Sequence, residues 1–112
     1  EVSSAGIRVR VIEPGRFPTT DFGSNIVRPD GWEGSAFEAK ALSLREALTN
    51  LDSGEPADPQ TVADAIAFAA TDPEAPFRIV VGDDANLIVG AKTAMSFEDF
   101  EQTMRSTINW YE

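Results

Sequence analysis

The chain has 112 residues, of which 42% are hydrophobic, and its 19 acidic and 9 basic residues give a formal net charge of −10. This length suits one small domain, and the negative charge argues against binding to nucleic acid or to anionic membrane surfaces, which attract basic residues. The lack of cysteine and histidine excludes disulfides, thiol nucleophiles, histidine bases and the common zinc sites within these residues.

The first six residues are typical of the last turn of a helix. No cap and no periodic apolar run precedes them, and Gly6 suits the left-handed position at which helices often end. The body of such a helix would lie upstream. The sequence therefore predicts that the chain is a fragment of a longer protein.

Residues 7–12 (IRVRVI) are rich in β-branched side chains and have the length of a strand. Pro14 and Gly15 end it, because proline lacks an amide hydrogen and glycine adopts turn conformations. In open α/β sheets, ligands bind beyond the carboxyl ends of the strands. We therefore expect the amides of residues 14–20 and the hydroxyls of Thr19 and Thr20 to face a ligand crevice, with a tight turn that binds nothing as the alternative.

Residues 22–34 (FGSNIVRPDGWEG) form an irregular segment by composition. Ile26, Val27 and Trp32 are its apolar residues. They indicate either an anchor that fixes the segment to the domain or a lid over a ligand pocket, and the two interpretations are compatible.

Apolar residues recur at spacings of four and three through residues 35–51, which predicts a helix whose apolar stripe packs against the domain. That stripe comprises Phe37, Ala41, Leu44, Leu48 and Leu51. Ser35 and Glu38 have the spacing of a capping box. Asp58 and Pro59 indicate the start of a second helix that runs to about Ala70.

Residues 78–82 (RIVVG) predict a short buried parallel strand. The helix expected after it has Asp83 and Asp84 in its first turn, where negative charge stabilises the exposed amides. We interpret that pair in this way rather than as a metal or acid–base site. Ser96 is the expected cap of the last helix, whose predicted buried side comprises Phe97, Phe100, Met104, Ile108 and Tyr111.

Two segments carry a resemblance to a known family. AGIRVRVIEPGRFPTTDF resembles the sixth strand and following loop of short-chain dehydrogenases/reductases, where GIRV-x-V-x-PG-x-x-x-T recurs, and its EPG with a following TDF is similar to the classical members. DPQTVADAIAFAATDPEAPFRIVVGDDA resembles the late helix, last strand and acidic turn of that family. The likeness covers nearly the whole chain, with its parts in the same order.

The resemblance implies an α/β fold, namely the C-terminal portion of a doubly wound parallel-sheet (Rossmann) domain. Residues 1–112 would form a single partial domain. Residues 1–23 would supply a strand and cofactor loop, residues 24–57 the substrate loop and a helix, and residues 58–112 the late helix, last strand and C-terminal helices.

The same resemblance implies an NAD(P)-dependent oxidoreductase that transfers a hydride between NAD or NADP and a carbonyl or alcohol substrate. Pro14 and Gly15 match the PG of the family, and Phe17 matches the aliphatic residue whose backbone meets the nicotinamide carboxamide. Thr19 matches the threonine that contacts the carboxamide or the diphosphate. Many relatives have one threonine before the aspartate, so Thr20 is an equal candidate for that role.

Trp32 lies in the segment that forms the variable substrate loop of the family, and it is the expected substrate-binding residue. The catalytic Ser, Tyr and Lys of the family have no matching positions in this chain. We therefore assign no catalytic residue, expect the missing N-terminal half to supply them, and predict that this fragment alone is inactive.

The late helix and last strand form a subunit interface in the family, which implies a homo-oligomer; intrachain packing is the alternative. A cytoplasmic location is expected.

The alternative function is a non-enzymatic, acidic α/β protein-interaction module. The high acidity, the lack of the usual catalytic residues, and Trp32 and Trp110 favour that alternative.

Overall fold

The computed structural model describes residues 2–51 and 56–109. Within them lie two β-strands and four α-helices: β1 (Val11–Pro14), α1 (Ala36–Leu51), α2 (Gln60–Thr71), β2 (Arg78–Val81), α3 (Asp83–Ala94) and α4 (Phe97–Ile108). Short 3-10 helices span Ser3–Ala5 and Asp21–Asn25. Two residues named in the sequence analysis lie outside the described residues. They are Trp110, which the sequence predicts to be exposed, and Tyr111, which it predicts to be buried.

The chain divides into two compact units. Unit 1 comprises Glu1–Thr19 and Pro56–Val89, and unit 2 comprises Thr20–Glu55 and Gly90–Glu112. Unit 1 contains both strands and α2, whereas unit 2 contains α1 and α4.

The two strands of unit 1 pair in parallel, with Val11 opposite Arg78 and Pro14 opposite Val81. The amides of Val11 and Gly15 donate to the carbonyls of Phe77 and Val81, each at 2.8 Å. Successive amides of a strand point to opposite sides, so the nitrogen of Pro14 points away from β2 when the amide of Gly15 points toward it. The missing amide hydrogen of Pro14 therefore does not interrupt the ladder. The parallel pairing predicted for residues 78–82 is confirmed.

The core of unit 1 lies where α2 packs against the two strands. Ala75 and Val81 are buried, and Val62, Ala65 and Ala69 of α2 are half-buried. Small side chains on one face of α2 allow this helix to approach the sheet closely.

The prediction of a doubly wound parallel-sheet (Rossmann) domain is wrong. The described residues are mainly helical, and their sheet has two strands. A doubly wound domain needs a sheet of several strands with helices on both faces. The observed architecture is that of a small α/β protein.

The first strand begins later than its sequence predicts. Residues 7–10 have no ladder partner in the described chain. Ile7 and Val9 consequently remain 54% and 51% exposed.

The predicted helix starts are confirmed. The Ser35 hydroxyl accepts from the amide of Glu38 at 3.1 Å, and the Glu38 carboxylate accepts from the amide of Gly34. Asp58 Oδ1 accepts from the amide of Gln60 at 2.9 Å. Gly6 has φ 75° and ends the first 3-10 helix, in the left-handed conformation expected for it.

The predicted burial is wrong for two aromatic residues. Phe37 is 76% exposed and Phe97 is 70% exposed. Each lies in the first turn of its helix, whereas Phe100, Met104 and Ile108 are half-buried. Among the residues that the structure describes, no helix is long and apolar enough to cross a membrane.

Ser96 provides a test of helix capping. Its hydroxyl accepts from the amide of Asp99 at 3.1 Å. We expect Ser96→Ala to lower the free energy of unfolding in urea by about 1 kcal/mol, since an orphan amide of α4 loses its partner. Ser43→Ala, at an exposed position inside α1, is the matched control and should be neutral or slightly stabilising. Equal effects of the two variants would contradict a capping role.

Candidate functional site

The candidate site lies at one edge of the sheet in unit 1. Because β1 and β2 are parallel, their carboxyl ends meet at the same edge. Gly15 follows β1 and Gly82 follows β2, so both strands turn on a glycine there. The loop of residues 15–19 begins at this edge.

A carboxylate from α3 fixes this loop. Asp84 Oδ2 accepts a hydrogen bond from the amide of Arg16 at 2.8 Å. Asp84 also stands in the first turn of α3, where the helix dipole favours its negative charge. We call this arrangement of Asp84 with Gly15, Arg16 and Gly82 the Asp84 clasp.

The two glycines of the clasp are required by its geometry. A methyl group added at Gly15 would overlap the carboxylate of Asp84. One added at Gly82 would lie 2.9 Å from Asp84 Oδ1, and the φ of Gly82 is 105°, where side chains are strained. Any other residue at either position forces the carboxylate to move.

The loop beyond the clasp carries an aromatic ring and a hydroxyl. The half-buried ring of Phe17 lies against Gly82, with Cε2 3.7 Å from the place of a methyl group there. Thr19 is exposed, and in the described part of the chain its hydroxyl has no hydrogen-bond partner. The loop therefore has a packed base and a polar tip.

Two backbone amides of the loop are already used. The amide of Gly15 donates to Val81, and that of Arg16 donates to Asp84. A ligand at this edge would therefore meet side-chain hydroxyls rather than these two amides. The nearby carboxylate makes the edge attractive to hydrogen-bond donors and unfavourable to anions.

The predicted site residues fall into the two units. Pro14, Gly15, Phe17 and Thr19 lie together on one loop of unit 1. Thr20 is the first residue of unit 2, where it precedes the 3-10 helix at Asp21–Asn25 in an extended conformation.

Trp32 lies on a pocket within unit 2. The side chain is half-buried, its amide donates to Pro29 at 3.2 Å, and its carbonyl accepts from Ser35 at 3.1 Å. The cavity has a volume of about 320 Å³ and is lined by Ile26, Val27, Arg28, Pro29, Trp32, Glu38, Ala41, Leu42 and Arg45. The backbone of Trp32 thus closes two local turns, and the residue lines a pocket.

Sequence reasoning missed the role of Asp84. The acid pair at the start of a helix was explained by the helix dipole alone, which accounts for the charge but not for the contact with Arg16. One signal was present in the sequence: a glycine ends each strand, and the second is followed two residues later by an acid. That pattern indicates a tight turn next to an acid, but it does not identify Arg16 as the partner of Asp84.

A comparison with known proteins found one partial similarity. A protein named oxidoreductase BOA17, from Botryotinia fuckeliana, is 32% identical to it over 85 residues, which are 76% of this chain and 30% of that relative. The chain is similar to part of an oxidoreductase. It spans about 30% of the length of that relative, and no family model and no solved structure matches it.

The Asp84 clasp predicts a non-additive pair of substitutions. We expect Gly15→Ala to lower the free energy of unfolding by about 1–3 kcal/mol, because the new methyl group overlaps the carboxylate. Asp84→Ala alone should cost about 1 kcal/mol through the lost hydrogen bond to Arg16. In the double variant the overlap is gone, so the cost of Gly15→Ala should fall markedly.

Gly23→Ala is the control for this cycle, since nothing lies within 4 Å of its added methyl group. It should leave the free energy of unfolding nearly unchanged. Additive costs for Gly15→Ala and Asp84→Ala in urea denaturation would show that the carboxylate does not occupy this place.

Proposed function

We propose that this chain is part of an NAD(P)-dependent oxidoreductase of the short-chain dehydrogenase/reductase type, acting on a carbonyl or alcohol substrate. The similarity to a named oxidoreductase supports the general class. The finer assignment is supported by one observation: a loop with the family-like PG and threonines lies at the carboxyl edge of a parallel strand pair, where α/β proteins bind ligands.

The residues of this edge fit the nicotinamide end of the cofactor better than its diphosphate. Thr19 offers a hydroxyl that both donates and accepts, and it has no partner in the described residues. Asp84 brings a negative charge to the same loop, which repels phosphate groups. The carboxamide is neutral and donates hydrogen bonds, so it is the group that this edge favours.

The nicotinamide ring, when bound, supplies or accepts the hydride. The residues of this chain position the cofactor and do not transfer protons or hydride. The clasp holds the loop from Pro14 to Phe17, and Thr19 or Thr20 binds the carboxamide. Trp32 and its segment contribute to substrate binding. The catalytic groups, and the residue that distinguishes NAD from NADP, come from the remaining part of the protein.

Exposed apolar residues support a missing partner for unit 1. Ile7, Val9 and Phe77 are each more than half exposed, and a sheet of two strands is at best marginally stable by itself. We propose that the N-terminal half of the same protein covers these residues. Ile66 and Phe68 of α2 are 53% and 43% exposed and are candidates for a homo-oligomeric contact.

The test is titration of NADH and NADPH into the protein expressed from its complete reading frame. We expect Thr19→Val or Thr20→Val to raise the dissociation constant about tenfold, or about 1.4 kcal/mol, because valine keeps the shape and loses the hydroxyl. Thr71→Val is the matched control, since that hydroxyl bonds to the carbonyl of Ala67 in its own helix. Cofactor fluorescence reports the binding.

The 112-residue chain alone should neither reduce a carbonyl compound nor respond to either cofactor. Reduction by the isolated chain would contradict the assignment of the catalytic groups elsewhere. Absence of cofactor binding by the complete protein, together with stable folding of the isolated chain, would instead favour the acidic protein-interaction module.

A further inference from the structure

The pocket beside Trp32 combines apolar walls with positive charge. Ile26, Val27 and Leu42 line it and remain 56%, 94% and 60% exposed, so their apolar surface stays in water. A ligand that covers them gains the free energy of burying that surface. The volume of about 320 Å³ is at the lower end for small-molecule sites.

Two arginines line the same pocket. Arg28 and Arg45 have no carboxylate partner among residues 2–51 and 56–109, although the chain has 19 acids and only 9 bases. Other basic side chains do have carboxylate partners, as Arg78 has with Glu13 and Arg105 with Glu101. One cavity is thus lined by two arginines that have no carboxylate partner in the described part of the chain.

The acid on the pocket forms no ion pair with either arginine in the described residues. Glu38 lines the cavity, but its carboxylate Oε2 accepts from the amide of Gly34 at 2.6 Å, which is its role in capping α1. The guanidinium groups thus keep their capacity to bind an anion. Guanidinium groups bind carboxylates through paired hydrogen bonds.

We propose that this pocket binds a small molecule with an apolar body and one carboxylate. The apolar body would cover Ile26, Leu42 and the Trp32 side chain, and the carboxylate would pair with Arg28 and Arg45. A single negative charge suits this site better than a phosphate, because the Glu38 carboxylate lines the same pocket and repels additional negative charge.

The binding itself does not depend on hydride transfer, since the pocket lies entirely in unit 2. Identifying this ligand as the substrate does rest on the proposed function, and it would make the substrate a carbonyl or alcohol that carries a carboxylate on an apolar body.

The test uses phenylbutyrate and its neutral amide as probes, without cofactor. In the protein expressed from its complete reading frame, the indole N–H resonance that disappears in Trp32→Phe belongs to Trp32 and reports on the pocket. We expect the acid to shift this resonance and to bind at least about tenfold more tightly than the amide. Added salt should weaken the binding of the acid to the pocket, since salt screens the attraction between the carboxylate and the arginines.

Matched variants distinguish the effect of the arginines at the pocket from the effect of the net charge of the protein. Arg28→Gln and Arg45→Gln should each raise the dissociation constant of the acid about fivefold or more, whereas Arg8→Gln, with the same change in net charge in unit 1, should leave it unchanged. Leu42→Glu should abolish binding of the acid; Leu42 is exposed, so folding should survive.

Equal binding of acid and amide, or equal effects of Arg45→Gln and Arg8→Gln, would overturn the proposal, as would the absence of any shift. Its failure is distinct from that of the proposed function. Dinucleotide binding without acid binding overturns the pocket alone, and acid binding without dinucleotide binding overturns the hydride-transfer proposal alone.

Discussion

The carboxylate of Asp84 is the constraint on which the candidate site of unit 1 depends. It accepts from the amide of Arg16 and occupies the space that side chains at Gly15 and Gly82 would take. One group thus links the end of β1, the end of β2 and the first turn of α3. The strand pairing supports the same edge, because the amide of Gly15 donates to Val81. The first two residues of the loop are therefore fixed, Gly15 by β2 and Arg16 by Asp84.

This constraint has a chemical consequence. Two of the amides that a strand end usually offers to a ligand, those of Gly15 and Arg16, are used inside the protein, and the Asp84 carboxylate lies at the edge. Recognition there must come from side chains such as Thr19, and it favours neutral groups that donate hydrogen bonds. Unit 2 has the opposite character at its pocket, where Arg28 and Arg45 lie beside apolar walls. The chain therefore presents two sites with different electrostatics, each suited to a different kind of ligand group.

Local signals in the sequence predicted much of the secondary structure. Caps at Ser35, Asp58 and Ser96 form with the expected hydrogen bonds, since each depends on residues within a few positions along the chain. The beginning of β1 was not predictable in this way. Residues 7–10 have strand composition, but a strand needs a partner, and in the described residues β2 pairs only with Val11–Pro14.

The sequence by itself determined the helices, their starting residues, the parallel character of β2 and the segment that leads from β1 into the loop. Only the tertiary structure decided that the described sheet has two strands, that Asp84 holds the loop at Gly15 and Arg16, and that Arg28 and Arg45 share a pocket with Trp32. The physical reason is distance along the chain. Asp84 and Arg16 are 68 positions apart, and no periodicity or capping pattern encodes a contact of that separation.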